Sequence, residues 1–305
     1  MASNLPRSFK RDPELVFRMY FTMFLLGVLY AIFAVIMLKF GIPLVFVGVV
    51  VGLMVLVQYF LSDKLILWST GAKQVSPAEE PELHAMVDRL ARNAGMPKPK
   101  VAVINSSVPN AFATGRNPKN SLVAVTTGIR QRLTDRELEG VLGHELAHVR
   151  NKDMRVLAIA NFLVTMTSFV MSMLFWSALF GGRRDRQGGG QAMMLLYLIT
   201  MVVYFVGQLL VLALTRYREY GADHSGAEIS GDPGALATAL EKISGAMARI
   251  PSEDLRKLQT ANAFLFIPAA LKGENVIHLF STHPPVEDRI RRLRELEQRT
   301  RFGKR

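Results

Sequence analysis

The sequence contains no cysteine. This excludes disulfide bonds, a zinc site built from thiolates and a cysteine nucleophile. Histidine is also sparse, with six residues in a chain of 305. Any transition-metal site must therefore be built from histidine and carboxylate side chains, and few combinations need to be considered.

Charged residues are scarce as well. They make up 20% of the chain, whereas hydrophobic residues make up 50%, and the mean hydropathy is +0.22. Such a composition is too apolar for a soluble protein and predicts a membrane protein. The net charge of +12 does not indicate nucleic-acid binding, because the basic residues are spread over the membrane flanks and form no binding motif.

Four stretches carry no charged side chain and are long enough to cross a hydrocarbon core, which needs roughly 20 apolar residues. They are 20–38, 42–61, 156–180 and 192–214. We therefore predict a mainly α fold, a four-span integral membrane protein with a polar domain outside the lipid bilayer. The predicted divisions are an N-terminal tail and hairpin (1–61), the first part of the polar domain (62–155), a second hairpin (156–214) and the second part of the polar domain (215–305).

Lysine and arginine near the spans predict the orientation, because cytosolic flanks carry an excess of them. The side that would hold both termini has Arg7, Lys10, Arg11, Arg18, Lys64, Lys73, Arg136, Arg150, Lys152, Arg155, Arg216 and Arg218. The other side has only Lys39, Arg183, Arg184 and Arg186. We expect the termini and both polar segments in the cytosol, at the plasma (inner) membrane if the source is bacterial. The loop 181–191 could instead stay cytosolic, if the last two spans formed a hairpin that does not cross.

Local signals predict the elements of the polar segments. Ser76-Pro77 begins a helix that ends near Gly95, and strand-like runs follow at 100–105, 111–114 and 122–127. A capping box from Thr134 to Glu137 opens a helix that continues to about Asn151. Asp232-Pro233 and Pro284-Pro285 start two further helices.

The pattern His144-Glu145-Leu146-Ala147-His148 lies on the helix opened by the capping box. Residues four apart on a helix are about 6 Å from each other and point the same way. The two imidazoles can therefore bind one tetrahedral zinc ion, with Glu145 beside them as a general base. The alternative is a pair of surface histidines that bind no metal.

A catalytic zinc keeps three protein ligands and an open position for water, so a third ligand must come from elsewhere. After the fourth span the chain continues Arg218-Glu219-Tyr220-Gly221-Ala222-Asp223. If the helix of the span continues, Glu219 and Asp223 lie on one face, a turn apart. One could bind zinc while the other accepts the free N–H of a ligating imidazole. The competing interpretation is a solvated carboxylate pair among interfacial arginines.

These motifs, followed near the C-terminus by Ser281-Thr282-His283-Pro284-Pro285, resemble the HtpX family of membrane zinc endopeptidases. More distantly, they resemble the CAAX prenyl endopeptidases. The resemblance covers nearly the whole chain. It implies an α+β, zincin-like (gluzincin) protease domain on the cytosolic side, with one Zn²⁺ per subunit bound by His144, His148 and Glu219 and with Asp223 supporting a ligand.

The resemblance also implies residues that contact the substrate. Asn110-Ala111-Phe112-Ala113 begins a segment matching an edge strand that lines the cleft, to which a peptide could add by backbone hydrogen bonds; the alternative is an ordinary strand and turn. In the related prenyl endopeptidases, a histidine and an arginine matching His283 and Arg289 face the reacting carbonyl. These two residues would stabilise the oxyanion, although His283 could equally cap the last helix.

Together these features predict a zinc-dependent endopeptidase, and no serine lies in a nucleophile-elbow pattern that would offer a covalent route.

His148 and Glu219 lie eight and five residues from the nearest spans, about 12 Å and about 7.5 Å of helix. The zinc site is therefore expected at the cytosolic membrane face, and the substrates would be polypeptides, mainly membrane proteins. The HtpX resemblance implies a stress-response role in their quality control. The alternative is a non-enzymatic assembly factor or transporter with a structural zinc.

Overall fold

We describe the protein from a computed structural model. The structure describes residues 13–180, 189–247 and 284–302. Within them the helices are α1 (Pro13–Lys39), α2 (Leu44–Thr70), α3 (Pro81–Asn93), α4 (Thr127–Arg132), α5 (Asp135–Arg150), α6 (Asp153–Phe180), α7 (Gly189–Ser230), α8 (Pro233–Met247) and α9 (Val286–Phe302). The strands are β1 (Lys73–Gln74), β2 (Lys100–Ile104), β3 (Ala111–Asn117) and β4 (Asn120–Thr126).

The chain divides by its internal contacts into two compact units. One unit contains Phe17–Phe60 and Arg155–Leu214, the most apolar parts of the sequence. The other contains the described parts of Met1–Val16, Leu61–Met154 and Thr215–Arg305. We call them the apolar unit and the polar unit.

Three helices are long and apolar enough to cross a membrane: Pro13–Lys39, Asp153–Phe180 and Gly190–Ser230. A further apolar stretch, Leu44–Val57, is shorter than a span, although the backbone of α2 stays helical to Thr70. Among the described residues, three of the four predicted spans therefore have a matching helix of membrane length. The second span stays a prediction.

The apolar unit has large hydrophobic side chains on its outside as well as in its core. The core contains Phe33, Met37, Val47, Val51, Val170, Leu174 and Leu196. Side chains such as Phe24, Val45 and Trp176 are more than half exposed. An exposed apolar surface of this extent is what a lipid environment requires, since lipid tails replace water as the solvent.

The polar unit contains a four-stranded sheet with the order β1-β2-β4-β3. β2 and β4 are parallel, while β1 and β3 pair antiparallel with their neighbours. β3 is thus an outermost strand of the described sheet, and it contacts α5. A register shift between Gly115 and Asn117 interrupts its pairing with β4, and Gly115 has φ +138, a value that side chains rarely tolerate.

Helix α5 begins where its capping box predicts. The Thr134 hydroxyl accepts from the Glu137 backbone N–H, and Glu137 Oε2 accepts from the Thr134 N–H at 2.8 Å. Lys242 of α8 also donates to Glu137, at 2.7 Å. Burial alone would raise the pKa of Glu137, but the hydrogen bonds from Lys242 and Thr134 outweigh it and lower the pKa. A charged carboxylate thus fixes the start of the helix that carries the site.

The other sequence signals in the polar unit predicted the right elements, with boundaries that differ by a few residues. The three strand-like runs form β2, β3 and β4, and the helices expected after Asp232 and Pro284 form α8 and α9. Helix α3 begins at Pro81 instead of Pro77. Ser76 does form reciprocal hydrogen bonds with Glu79, but the residue before a proline is disfavoured in a helix, so Glu80 interrupts the turn.

Candidate active site

Three potential metal ligands converge in the polar unit. His144 Nε2 and His148 Nε2, one helical turn apart on α5, are 3.1 Å from each other. Glu219 of α7 places its Oε2 3.6 Å from His144 Nε2 and its Oε1 3.4 Å from His148 Nε2. Among the described residues, these three form the group that could hold a metal ion.

The donor set suits zinc. Ligands bound at about 2.0–2.2 Å to a tetrahedral zinc lie about 3.3–3.5 Å from each other, close to the three separations above. Two imidazole nitrogens and one carboxylate leave a fourth position, which is the composition of catalytic zinc sites. The residues present therefore fit the ion that the sequence predicts.

Asp223 orients the ring of His144 through a contact with its Nδ1 atom. Its Nδ1 lies 2.9 Å from Asp223 Oδ1, and Arg289 of α9 donates to both oxygens of Asp223, at 2.9 Å from Nε and 2.7 Å from Nη2. Burial alone would raise the pKa of Asp223, but Arg289 and His144 outweigh it and lower the pKa. An ionised carboxylate only accepts, so Nδ1 carries a proton, and in the neutral imidazole the lone pair is on Nε2, which faces the site.

His148 has an equivalent partner that sequence reasoning missed. Its Nδ1 is 2.7 Å from Asp153 Oδ2, and Arg218 Nη2 is 3.1 Å from the same oxygen. Burial alone would lower the pKa of His148, but Asp153 and Glu219 outweigh it and raise the pKa to about 10. The available sequence signal was an aspartate five residues after the second histidine, just past the end of α5.

Glu145 is held by the edge strand. The backbone N–H of Ala113 in β3 donates to Glu145 Oε2 at 2.8 Å. Burial raises the pKa of Glu145, against the opposing effects of His144, His148 and this hydrogen bond. A carboxylate whose pKa is raised towards neutrality is better matched to accepting and returning a proton.

Of the four residues predicted to bind substrate, Asn110 directly precedes β3 and the other three begin it. Asn110 exchanges hydrogen bonds with Thr126 at the end of β4, which fixes the register. Ala111 belongs to the core beside α5, whereas Phe112 points to the opposite face of the sheet with Ala102 and Ile104. The N–H of Ala113 points towards Glu145, so this part of β3 presents its backbone on the site's side.

The last two predicted residues have different outcomes. His283 lies outside the described residues. Arg289 is at the site, but it is 1% exposed and its Nη1 is 3.5 Å from Glu219 Oε2. It thus contacts both Asp223 and Glu219 of α7. No pattern in the sequence predicts these two contacts.

Two glycines let α5 and α7 approach each other at His144. A methyl group at Gly226 would lie 2.6 Å from His144 Cα and 2.7 Å from its backbone nitrogen. A methyl group at Gly143 would lie 2.9 Å from the carbonyl oxygen of Gly226. Only glycine permits this approach, which brings Glu219 within reach of the histidines.

Comparisons with known proteins show the family of this chain. The model of peptidase family M48 matches residues 77–297, well over half of the chain. The chain belongs to peptidase family M48. This M48 peptidase is 52% identical to a protease HtpX homolog of Moorella thermoacetica, over 96% of this chain and 97% of that protein. It is 47% identical to protease HtpX homolog 2 of Methanosarcina mazei, over 96% of this chain and 99% of the relative.

A solved structure shares the fold at lower sequence similarity. The crystal structure of S. mikatae Ste24p superposes with a TM-score of 0.56 and 17% identity, covering 92% of this chain and 67% of that one. The predicted resemblance to HtpX proteases is confirmed by the relatives. The M48 peptidase described here is therefore a membrane protease, with helices of membrane length and a group of residues suited to a metal.

Proposed function

We propose that this M48 peptidase is a zinc-dependent endopeptidase that hydrolyses peptide bonds at the cytosolic face of the membrane. The observation that carries the proposal is the convergence of His144, His148 and Glu219 beside a buried carboxylate, Glu145. Its substrates would be polypeptides, mainly membrane proteins, and its role the quality control of those proteins.

His144, His148 and Glu219 would hold the zinc ion. When bound, zinc would polarise a water molecule and the peptide carbonyl, the chemistry common to zinc peptidases. Asp223 and Asp153 hold the proton of each histidine on Nδ1 and thereby direct both Nε2 atoms to one point.

Glu145 would act as the general base. Its Oε2 is fixed by the Ala113 N–H, so its second oxygen accepts the proton of the attacking water. The same carboxylate then returns the proton to the leaving amine, which allows the C–N bond to break. No residue of the chain becomes covalently attached to the substrate in this mechanism.

The edge of β3 would bind the peptide. In an antiparallel strand, the N–H and C=O of one residue point to the same side. Since the N–H of Ala113 points to Glu145, its carbonyl lies on that side too and can pair with an extended substrate. The scissile bond would then lie next to the general base.

His283 and Arg289 would stabilise the negative charge that develops on the carbonyl oxygen. Arg289 already donates to Asp223 and lies close to Glu219. We therefore propose that much of its effect reaches the reaction through these two acidic residues.

A structural zinc in a non-enzymatic protein is less well supported. It would need a fourth protein ligand, and three potential ligands converge among the described residues. A transporter would be expected to have charged residues within its spans, and the apolar runs have none. Buried hydroxyls there, such as Thr167 and Thr200, bond to carbonyls of their own helices.

The decisive experiment replaces the general base. Glu145→Ala should retain zinc, because the three ligands are intact, and should lower proteolysis by about 10²–10⁴-fold. Products from a membrane-protein substrate are identified by mass spectrometry, and zinc is measured by elemental analysis. Glu139→Ala is a matched control on the same helix, since Glu139 pairs with Arg89 and, among the described residues, no ion pair joins it to a site residue. Undiminished cleavage by the Glu145 variant would overturn the proposed mechanism.

A further inference from the structure

The environments of the two histidines differ. The side chain of His144 is 1% exposed, and the backbone of His144 lies against Gly226 of α7, whereas the side chain of His148 is 18% exposed. Packing therefore restrains the ring of His144 more than that of His148. A ring with more freedom depends more on hydrogen bonding to keep one nitrogen directed at a metal.

Asp153 supplies that hydrogen bond from another helix. It is the first residue of α6, and α5 ends at Arg150. Lys152 between them has φ 59, the left-handed conformation that is uncommon for residues with side chains. This turn brings the carboxylate of Asp153 back to within 2.7 Å of His148 Nδ1.

Arg218 in turn fixes Asp153. The side chains of Arg218 and Asp153 are 5% and 8% exposed, and Nη2 lies 3.1 Å from Oδ2. A buried carboxylate needs a compensating charge to stay ionised. The same oxygen therefore receives one hydrogen bond from Arg218 and one from His148, and it can act only as an acceptor.

We infer that Asp153 is a positioning residue for the metal ligand His148, and that Arg218 holds Asp153 in place. The inference rests on the proposed zinc site. With the proton on Nδ1, the lone pair of Nε2 points towards Glu219 and His144. His144 has the same arrangement: its Nδ1 contacts Asp223, as that of His148 contacts Asp153, and Arg289 pairs with Asp223, as Arg218 pairs with Asp153.

A purely structural role for Asp153 makes a different prediction. An acidic residue in the first turn stabilises a helix through the helix dipole, and it needs no contact with His148 to do so. Its loss would then lower the stability of the fold without changing the zinc affinity of the folded protein. Zinc affinity therefore distinguishes the two roles.

The experiment compares variants of the full-length protein in lipid nanodiscs. Zinc affinity is measured by competition with a chelator, and the visible spectrum of the Co²⁺-substituted protein reports the ligand geometry. Asp153→Ala should weaken zinc binding about 10–100-fold and change the cobalt spectrum. Asp153→Asn should recover part of the affinity, because its amide oxygen can still accept from Nδ1–H.

Glu228→Ala is the matched control. Glu228 pairs with Arg150 at 2.8 Å and also joins α7 to α5, and among the described residues no ion pair joins either of them to a proposed metal ligand. This variant should bind zinc within about twofold of the wild type. If Asp153→Ala does not fold, Asp153→Asn, which keeps the shape of the side chain, should still show a loss of about fivefold.

Two results would overturn the inference alone. One is affinity within about twofold of the wild type in every folded Asp153 variant, and the other is an equal loss in Glu228→Ala. A wild-type protein that binds no zinc would overturn the proposed metal site, and this inference with it.

Discussion

At the scale of single residues, protons and metal compete for the same side chains. His148 has its pKa raised to about 10, and that of His144 is raised too, because their acidic neighbours outweigh the effect of burial. A raised pKa favours the protonated imidazole, and a metal must displace that proton before it can bind. Zinc affinity is therefore expected to depend on pH.

We predict that zinc binding releases protons and strengthens as the pH rises from about 6 to about 8. The expected change is about tenfold per pH unit for each proton released. Calorimetry at pH 7 in two buffers of different ionisation enthalpy counts the protons, and His148→Ala, which lacks one of the ionisable ligands, should release fewer. An affinity that is constant over this range would contradict the prediction.

The sequence predicted those site residues whose relation is local. His144 and His148 share a helix, and so do Glu219 and Asp223, so helical periodicity alone places each pair on one face. Asp153 and Arg218 escaped prediction because their contact depends on the turn at Lys152 and on tertiary packing. The sequence predicted a different role for Arg218. Because it lies next to a span, it was counted among the basic residues that predict the orientation in the membrane.

At the scale of elements, the site depends on how closely α5 and α7 approach each other. Gly226→Ala would place a methyl group against the backbone of His144, which cannot move aside as a flexible side chain could. We expect the helices to separate, with a loss of about 1–3 kcal/mol in stability and weaker zinc binding because Glu219 moves away. Unfolding and zinc affinity are measured on the same preparation.

Gly221→Ala is the control on the same helix. Apart from its neighbours on the same helix, no atom of the described residues lies within 4 Å of the position its methyl group would take. An alanine in an open helical position should stabilise the protein by about 0.5–1 kcal/mol and leave zinc affinity unchanged. If both variants had the same stability and the same zinc affinity, the close packing at Gly226 would not be what positions Glu219 at the site.

Elements were predictable from sequence where their signals are local and strong. The capping box predicted the start of α5, and three of the four long apolar runs correspond to helices of membrane length. The two-residue strand β1 has too short a pattern to recognise, and its pairing with β2 depends on tertiary contacts. Proline at position 81 moved the start of α3, which shows a local rule overriding a capping signal.

At the scale of the whole molecule, the order of segments along the chain suggests which substrates the site can reach. His148 lies eight residues before the apolar run 156–180, and Glu219 lies five residues after the run 192–214. A helix rises about 1.5 Å per residue, so the five residues before Glu219 on α7 correspond to about 7.5 Å, whereas the turn at Lys152 interrupts the helix after His148. We therefore propose that cleavage takes place close to the membrane surface.

A pair of model substrates tests this proposal. Each has one membrane span and the same cleavage sequence, placed about 10 residues from the span in one and about 50 residues in the other. We predict faster cleavage of the first, because its span holds the sequence near the membrane at a high effective concentration. The same two sequences without a span serve as the control and should be cleaved at equal rates. Undiminished cleavage at the longer distance would count against a site at the membrane face while leaving the zinc chemistry intact.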